Sequence, residues 1–253
     1  MSYGAAPSGH PNGIVERGPA MIDPKLAGRL SVPLRLPTED PLPPGTHVLG
    51  LFAERDARLY VPQGLAPRRP VPLVVLFHGG GGSAEKIMPM LAVHAEARGF
   101  LLLIPQSLHP TWDLVIAGNG PDRDRLEHAL NALASHFLLD PGRIAFAGHS
   151  DGGSYALSLG LTNGDLVSHV IVSSAGFMSV QTQMGTPRVF ISHGTRDEQI
   201  PIDRSGPTHA SLMREAGYDV TYVEYDGPHA YDPAVVRRAV DFFMDDRDAS
   251  YAA

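Results

Sequence analysis

Apolar residues in this chain fall into short dense runs, separated by longer stretches of mixed character. Val71 to Phe77 and Phe100 to Ile104 are unbroken, and Ile144 to Ala147 is a third such run. Runs of this length predict strands buried on both faces. Leu166 to Ser173, Pro187 to Ser192 and Asp219 to Tyr225 predict three further strands, and His47 to Ala53 and Ala57 to Val61 two short ones at a sheet edge. Helices are predicted over Ala84 to Arg98, where Gly99 supplies a stop, and from Pro121 to about Leu138, where proline suits the first turn. Ser154 to Leu161, Ile202 to Glu215 and Pro233 to Asp245 predict three more. Strands alternating with helices imply an α/β domain whose parallel sheet is covered on both sides.

The first 45 residues break this texture. They hold nine prolines, a density that forbids a long helix or a central strand. Residues 1–45 therefore read as an extended arm, wrapped on the domain or partly disordered, with a short edge strand around Leu30 to Leu36. Residues 46–248 read as one domain.

Composition narrows the partners. At 253 residues and 43% apolar, the chain can bury a sizeable core. A net charge of −7, with no basic run longer than Arg68-Arg69, argues against nucleic acid. No stretch approaches the ~20 apolar residues of a membrane span. The N-terminus lacks a basic segment followed by an apolar one, so a cytoplasmic location is expected. There is no cysteine, hence no disulfide. A monomer or a homodimer is expected.

The chemistry centres on Arg143 to Gly153, RIAFAGHSDGG. A buried strand ends in Gly148-His149-Ser150-Asp151-Gly152 and a helix begins. This is the nucleophile elbow, in which a strained turn lifts a serine hydroxyl above the sheet and glycines permit close backbone approach. Serine is a poor nucleophile unless a base takes its proton and an acid orients that base. Two later strands supply candidates just past their carboxyl ends, where open α/β sheets carry their sites. The loop HGTRDEQIP (193–201) offers Asp197 as the acid, and DGPH (226–229) offers His229 as the base. Asp226, Glu198 and Asp113 are alternative acids. His78, His149 and His193 also lie at strand ends and read as hydrogen-bonded structural histidines. Acyl transfer builds negative charge on the carbonyl oxygen, which two backbone N–H groups must meet. Asp151 supplies one, and the glycine run after His78 the other, with Gly80 the first choice and Gly81 the second. The run GGGGSAEK does not match a phosphate-binding loop.

On these residues the chain resembles the α/β-hydrolase superfamily, and within it the phospholipase/carboxylesterase branch of acyl-protein thioesterase-like esterases. The resemblance rests on LFHGGGGS (76–83), PQSLHPTWD (105–113), AGHSDGGSYAL (147–157), ISHGTRDEQIP (191–201) and DGPHAYDP (226–233). It implies an α/β-hydrolase fold with a mostly parallel sheet of about eight strands, Ser150, Asp197 and His229 as a triad, and amides near Gly80 and Asp151 as the oxyanion hole. The charged residue after the serine departs from the uncharged residue often found in such esterases. Because a carboxylate would oppose an oxyanion, the Asp151 side chain is expected to point away, into solvent or onto a cation.

The segments Gly176 to Gly185 and Asp197 to His229 are too short for a large cap, so the site reads as shallow and lidless. Such a site suits short or medium acyl esters and would also admit a polyester chain. Trp112, Phe177 and Met178 are candidates for its apolar wall, with core packing as the alternative for each. The expected function is a serine carboxylesterase needing no metal or other cofactor. Thioester, phospholipid or peptide hydrolysis would use the same machinery. A non-catalytic binding protein of this fold would be expected to have lost a triad position, and none is lost here.

Overall fold

The computed structural model describes residues 23–244, apart from Leu26 and Pro67. Most of the predicted arm and the last residues of the predicted domain lie outside this range. Eight strands form one sheet: β1 (Gly45–Val48), β2 (Arg58–Val61), β3 (Val71–Phe77), β4 (Leu101–Ile104), β5 (Leu139–His149), β6 (His169–Ser173), β7 (Arg188–Gly194) and β8 (Val220–Tyr225). Their spatial order is β1-β2-β4-β3-β5-β6-β7-β8. β1 and β2 pair antiparallel, β2 joins β4 antiparallel, and the rest are parallel. After β3 the chain moves outward to β4, then returns across β3 to start β5. The crevice between the carboxyl ends of β3 and β5 is thus the point where strand order reverses, the place where such sheets hold ligands.

The side-chain period of two sorts the central strands into two cores. Leu73, Val75 and Phe77 of β3 face α3 (Pro121–His136), α4 (Asp151–Thr162) and α5 (Gly206–Glu215), which contribute Leu126, Leu130, Leu159 and Met213. Val74 and Leu76 face the other way, toward α1 (Ala84–Arg98) and α6 (Pro233–Met244), meeting Met88, Leu91 and Phe243. Burial on both faces explains the continuous apolar runs. The helix ends follow their signals. Ser83 Oγ accepts the Lys86 N–H at 3.4 Å, and Gly99 closes α1 in the left-handed region at φ 73°.

Several predicted boundaries move, each for a local reason. β1 stops at Val48 because the Asp56 carboxylate takes the Leu51 N–H at 3.1 Å and also that of Gly50, folding the segment into a turn. β6 begins only at His169, since the Asn163 carbonyl binds the N–H groups of Leu166 and Val167 in a turn. The predicted helix from Ile202 splits into a single 3₁₀ turn (Ile202–Arg204) and α5, with Pro207 unable to donate to the preceding turn. Between β4 and α3 lies one helical turn, α2 (Asp113–Ile116).

The described part of the arm, residues 23–44, lies on the domain. No strand forms around Leu30 to Leu36, because side chains satisfy the backbone there. Leu30 N–H donates to Asn163 Oδ1 at 2.8 Å and Ser31 N–H to Glu127 Oε2 at 2.6 Å. Leu30 itself belongs to the core, and Arg29 forms a forked pair with Asp165 at 2.7 and 2.6 Å. Asn163 is fully buried and also donates to the Gly28 carbonyl at 2.9 Å. Asn163→Ala should leave those arm groups unpaired and cost about 2–3 kcal/mol, read from the urea midpoint. A loss under about 0.5 kcal/mol would show that the arm is held elsewhere.

Candidate active site

The elbow follows from two forbidden side chains. A Cβ on Gly148 would stand 2.2 Å from the Gly152 carbonyl oxygen, and one on Gly152 would stand 2.2 Å from the Phe77 carbonyl oxygen. Only glycine at both positions lets α4 start directly above β3 and β5. Between them Ser150 takes φ 57° and ψ −126°, a left-handed conformation unusual for a side-chain-bearing residue. Strain of this kind costs ~1–3 kcal/mol. It is held by the Ser150 N–H donating to Ser173 O at 3.0 Å and the Ser154 N–H donating to Ser150 O at 2.9 Å.

The candidate acid and base arrive from the next loops along the sheet. His229 Nδ1 lies 2.7 Å from Asp197 Oδ2, while Asp197 Oδ1 accepts the N–H groups of Gln199 at 3.0 Å and Ile200 at 2.9 Å. Burial works against the Asp197 charge, but the Ile200 amide and the His229 ring outweigh it and hold the carboxyl below its ordinary range. The imidazole therefore keeps a proton on Nδ1 and presents Nε2. The His229 ring sits 4.4 Å from that of His149, the residue before Ser150, and reaches a depression of about 400 Å³ lined by Arg196, Glu198, Gln199 and Pro228. Neither of the other acids in these two loops approaches His229 as Asp197 does. Asp226 is exposed and paired with Arg196 at 2.8 Å, and Glu198 is exposed. Asp113 is buried and exchanges backbone bonds with Asp122 at 2.8 and 2.9 Å, so its carboxylate ties α2 to the start of α3. Burial, and then the Asp122 charge, raise its pKa.

The glycine run crosses directly above the elbow. A Cβ on Gly79 would lie 3.6 Å from that of Ser150. Gly81 commits its N–H to Pro110 O at 2.7 Å, whereas the Gly80 N–H donates to no group among the described residues. The Asp151 N–H opens the first turn of α4. The fully buried His78 fixes the run. Its Nε2 accepts the Ser107 N–H at 3.2 Å, leaving the proton on Nδ1, which donates to Gly79 O at 2.8 Å. Burial lowers the His78 pKa, so the ring stays neutral in this role.

Two side chains depart from expectation. The Asp151 carboxylate does not point away. It accepts the Thr111 hydroxyl at 2.6 Å, and its Oδ2 lies 2.6 Å from where a Gly80 Cβ would be. The short Thr111 side chain, on a loop anchored by Asp113 and Asp122, draws it over the glycine run. Trp112 is not a wall of the site. It is 1% exposed, stacks on Tyr155 at 4.6 Å and donates to the His78 carbonyl at 2.8 Å. Its indole needs a buried acceptor, and the core beneath the glycine run supplies one. Phe177 and Met178 are partly buried and pack against the same core.

Thr111 escaped the sequence reading, while His193 is the hydrogen-bonded structural histidine expected. His193 is fully buried, with Nε2 2.8 Å from Ile200 O and 3.4 Å from Asp197 Oδ2, so it braces the acid loop. The only sequence sign was its place at the end of a buried strand. Thr111 gave no sign.

An eight-stranded, mostly parallel sheet with a serine elbow after β5 and an acid and a histidine after β7 and β8 settles the architecture. The chain has the α/β-hydrolase fold. Structures sharing this fold with it include a thermostable esterase, with TM-score 0.63 and 20% identity, covering 75% of this chain and 58% of that one. Esterase PE8 gives 0.60 at 19% identity over 74% and 96% of the two chains. Esterase 2 of Thermogutta terrifontis, phosphorylated by paraoxon, gives 0.60 at 20% identity over 85% and 95%. In sequence, 114 residues (41% of the chain) are 34% identical to part of the non-reducing polyketide synthase Preu6 of Preussia isomera, of which they span 5%. No protein-family model matches the chain. No helix among the described residues is long and apolar enough to cross a membrane.

In this hydrolase-fold site His149 is buried beside His229 and Tyr231, with ring centroids at 4.4 and 4.8 Å. Burial, and then the nearby His229, lower its pKa from 6.5 to about 4. The unfolded chain binds this proton more readily than the folded one. The stability that the neutral ring contributes is therefore complete above pH ~6.5 and lost as pH falls toward ~4, by up to about 3 kcal/mol. His149→Phe keeps the ring and cannot titrate. Its unfolding free energy should fall less between pH 7 and pH 4 than that of the unmodified protein, by roughly that amount. Equal slopes in urea titrations would show that His149 is not the group responsible.

Proposed function

We propose that the protein is a serine carboxylesterase that hydrolyses short or medium acyl esters through an acyl-enzyme. The observation that supports this reading is the 2.7 Å contact between His229 Nδ1 and Asp197 Oδ2, with the His229 ring 4.4 Å from that of His149, the residue before the strained Ser150. In the reaction, His229 Nε2 takes the Ser150 proton as Oγ attacks the ester carbonyl. Asp197 keeps the imidazole in the right tautomer and stabilises its cation. The N–H groups of Gly80 and Asp151 meet the oxyanion, and His229 then returns the proton to the departing alcohol. Water, deprotonated by the same histidine, releases the acid. The step needs no metal.

The resemblance of the fold to esterases supports the reaction class. Among those neighbours, Thermogutta terrifontis esterase 2 has been characterised with propionate and with butyrate bound, which supports short acyl groups here. Phe177 and Met178 are the proposed apolar wall. The connection from Gly176 to Gly185 carries no helix, in keeping with an open site.

The reading is tested by steady-state hydrolysis of p-nitrophenyl esters from acetate to palmitate. Turnover should be fastest with short chains and should fall by a factor of roughly 10⁴–10⁶ in Ser150→Ala. A serine variant keeping more than a few per cent of activity would overturn the assignment. Asp197→Asn should lose roughly 10⁴ in kcat. A larger loss in Asp226→Asn would identify a different acid.

A further inference from the structure

The mechanism uses only the backbone of Asp151, yet its side chain occupies a prominent place. Its Oδ2 stands 2.6 Å from where a Cβ on Gly80 would be, so a carboxylate lies against the loop that is to receive the oxyanion. Among the described residues, the hydrogen-bond partner of the carboxylate is the neutral Thr111 hydroxyl at 2.6 Å. No Lys, Arg or His among the described residues lies within ion-pair distance of it. The side chain is half-buried, where solvent and salt screen a charge less than at an open surface.

Two arginines on the neighbouring loops are held by other groups. Arg55 donates to the carbonyls of Ser107 and His109, and Arg196 pairs with Asp226 at 2.8 Å. A second carboxylate, Glu198, lines the depression beside His229 from the loop after β7, and it also lacks an ion pair. A substrate seated at Ser150 thus meets negative charge next to the nucleophile and again across the histidine, on a chain whose net charge is −7.

A neutral ester gains nothing from this arrangement, and an anionic one is repelled. An ester carrying an ammonium group a few atoms from its carbonyl is attracted to the charge that the protein leaves unmatched. Resting on the esterase reading above, we infer that Asp151, assisted by Glu198, selects esters bearing a cationic nitrogen.

The test compares kcat/KM for acetylcholine and for its uncharged isostere 3,3-dimethylbutyl acetate, followed by pH-stat. The unmodified protein should prefer the cationic ester by ~10-fold at about 10 mM salt, with the preference shrinking toward parity near 1 M. Asp151→Asn retains the backbone N–H and an acceptor for Thr111, and it should remove most of that preference. Glu198→Gln should remove a smaller part, and it serves as the deciding variant if Asp151→Asn fails to fold. Turnover of both esters at equal efficiency, or a preference unchanged in both variants, overturns the inference and leaves the esterase reading standing. Turnover of neither ester by a protein that hydrolyses p-nitrophenyl acetate overturns the inference alone, and no turnover of p-nitrophenyl acetate either overturns both.

Discussion

The site depends on one close backbone approach, that of the start of α4 to the end of β3. Gly152 sits so near the Phe77 carbonyl that no Cβ fits, and Gly148 is packed as tightly against Gly152. This contact forces the turn between them to be short, and a short turn forces Ser150 to φ 57°. The serine is therefore placed by the packing of main chain on main chain rather than by any bond of its own side chain. A backbone contact of this kind has almost no freedom to relax. The same contact sets the height of the first turn of α4, and with it the direction of the Asp151 N–H. The proposed nucleophile and one proposed oxyanion donor are thus fixed by a single steric fact.

The remaining groups are held by polar contacts, one loop at a time. His78 binds the Ser107 N–H on one side and the Gly79 carbonyl on the other, so the glycine run is fastened to the neighbouring loop. Gly81 is fastened to Pro110. His193 does the corresponding work for the acid loop, through the Ile200 carbonyl, while Ile200 N–H holds Asp197. Buried His78 acts as a neutral two-ended strut in its loop, and buried His193 braces the acid loop through Ile200. The arrangement suits a site whose loops are otherwise short and partly glycine, since every fixed hydrogen bond removes freedom that catalysis would have to remove later.

Much of this could be read from the chain. Strands buried on both faces announce themselves as continuous apolar runs, and Gly99 and Pro121 mark helix ends because their backbone geometry allows little else. The places of Ser150, Asp197 and His229 were legible because each follows such a run, at the carboxyl end of a strand. What escaped depends on contacts distant in sequence. Nothing near Leu30 says that Asn163, far along the chain, will take its N–H, so the expected edge strand does not form. Trp112 read as a wall because large aromatic residues serve both sites and cores. Only the position of the His78 carbonyl and the Tyr155 ring decides between them. Thr111 was invisible for the same reason: a hydroxyl matters here through one partner, which the sequence places 40 residues away.

Asp151 shows most plainly how local rules and site chemistry can pull in different directions. A carboxylate in the first turn of a helix is favourable by ~0.3–1 kcal/mol, which is reason enough to find one there in an ordinary protein. At this helix, however, the same dipole is also the one an oxyanion would use. At ~7 Å and an effective dielectric of ~20, a carboxylate opposes an oxyanion by roughly 2 kcal/mol, more than the helix gains. Solvent alone could have drawn the side chain outward and reduced that opposition. Instead the Thr111 hydroxyl holds it against Gly80. On the inference drawn above, a substrate carrying a positive charge offsets that cost. The balance between the helix, the oxyanion and the unmatched carboxylate is therefore closed by the substrate itself.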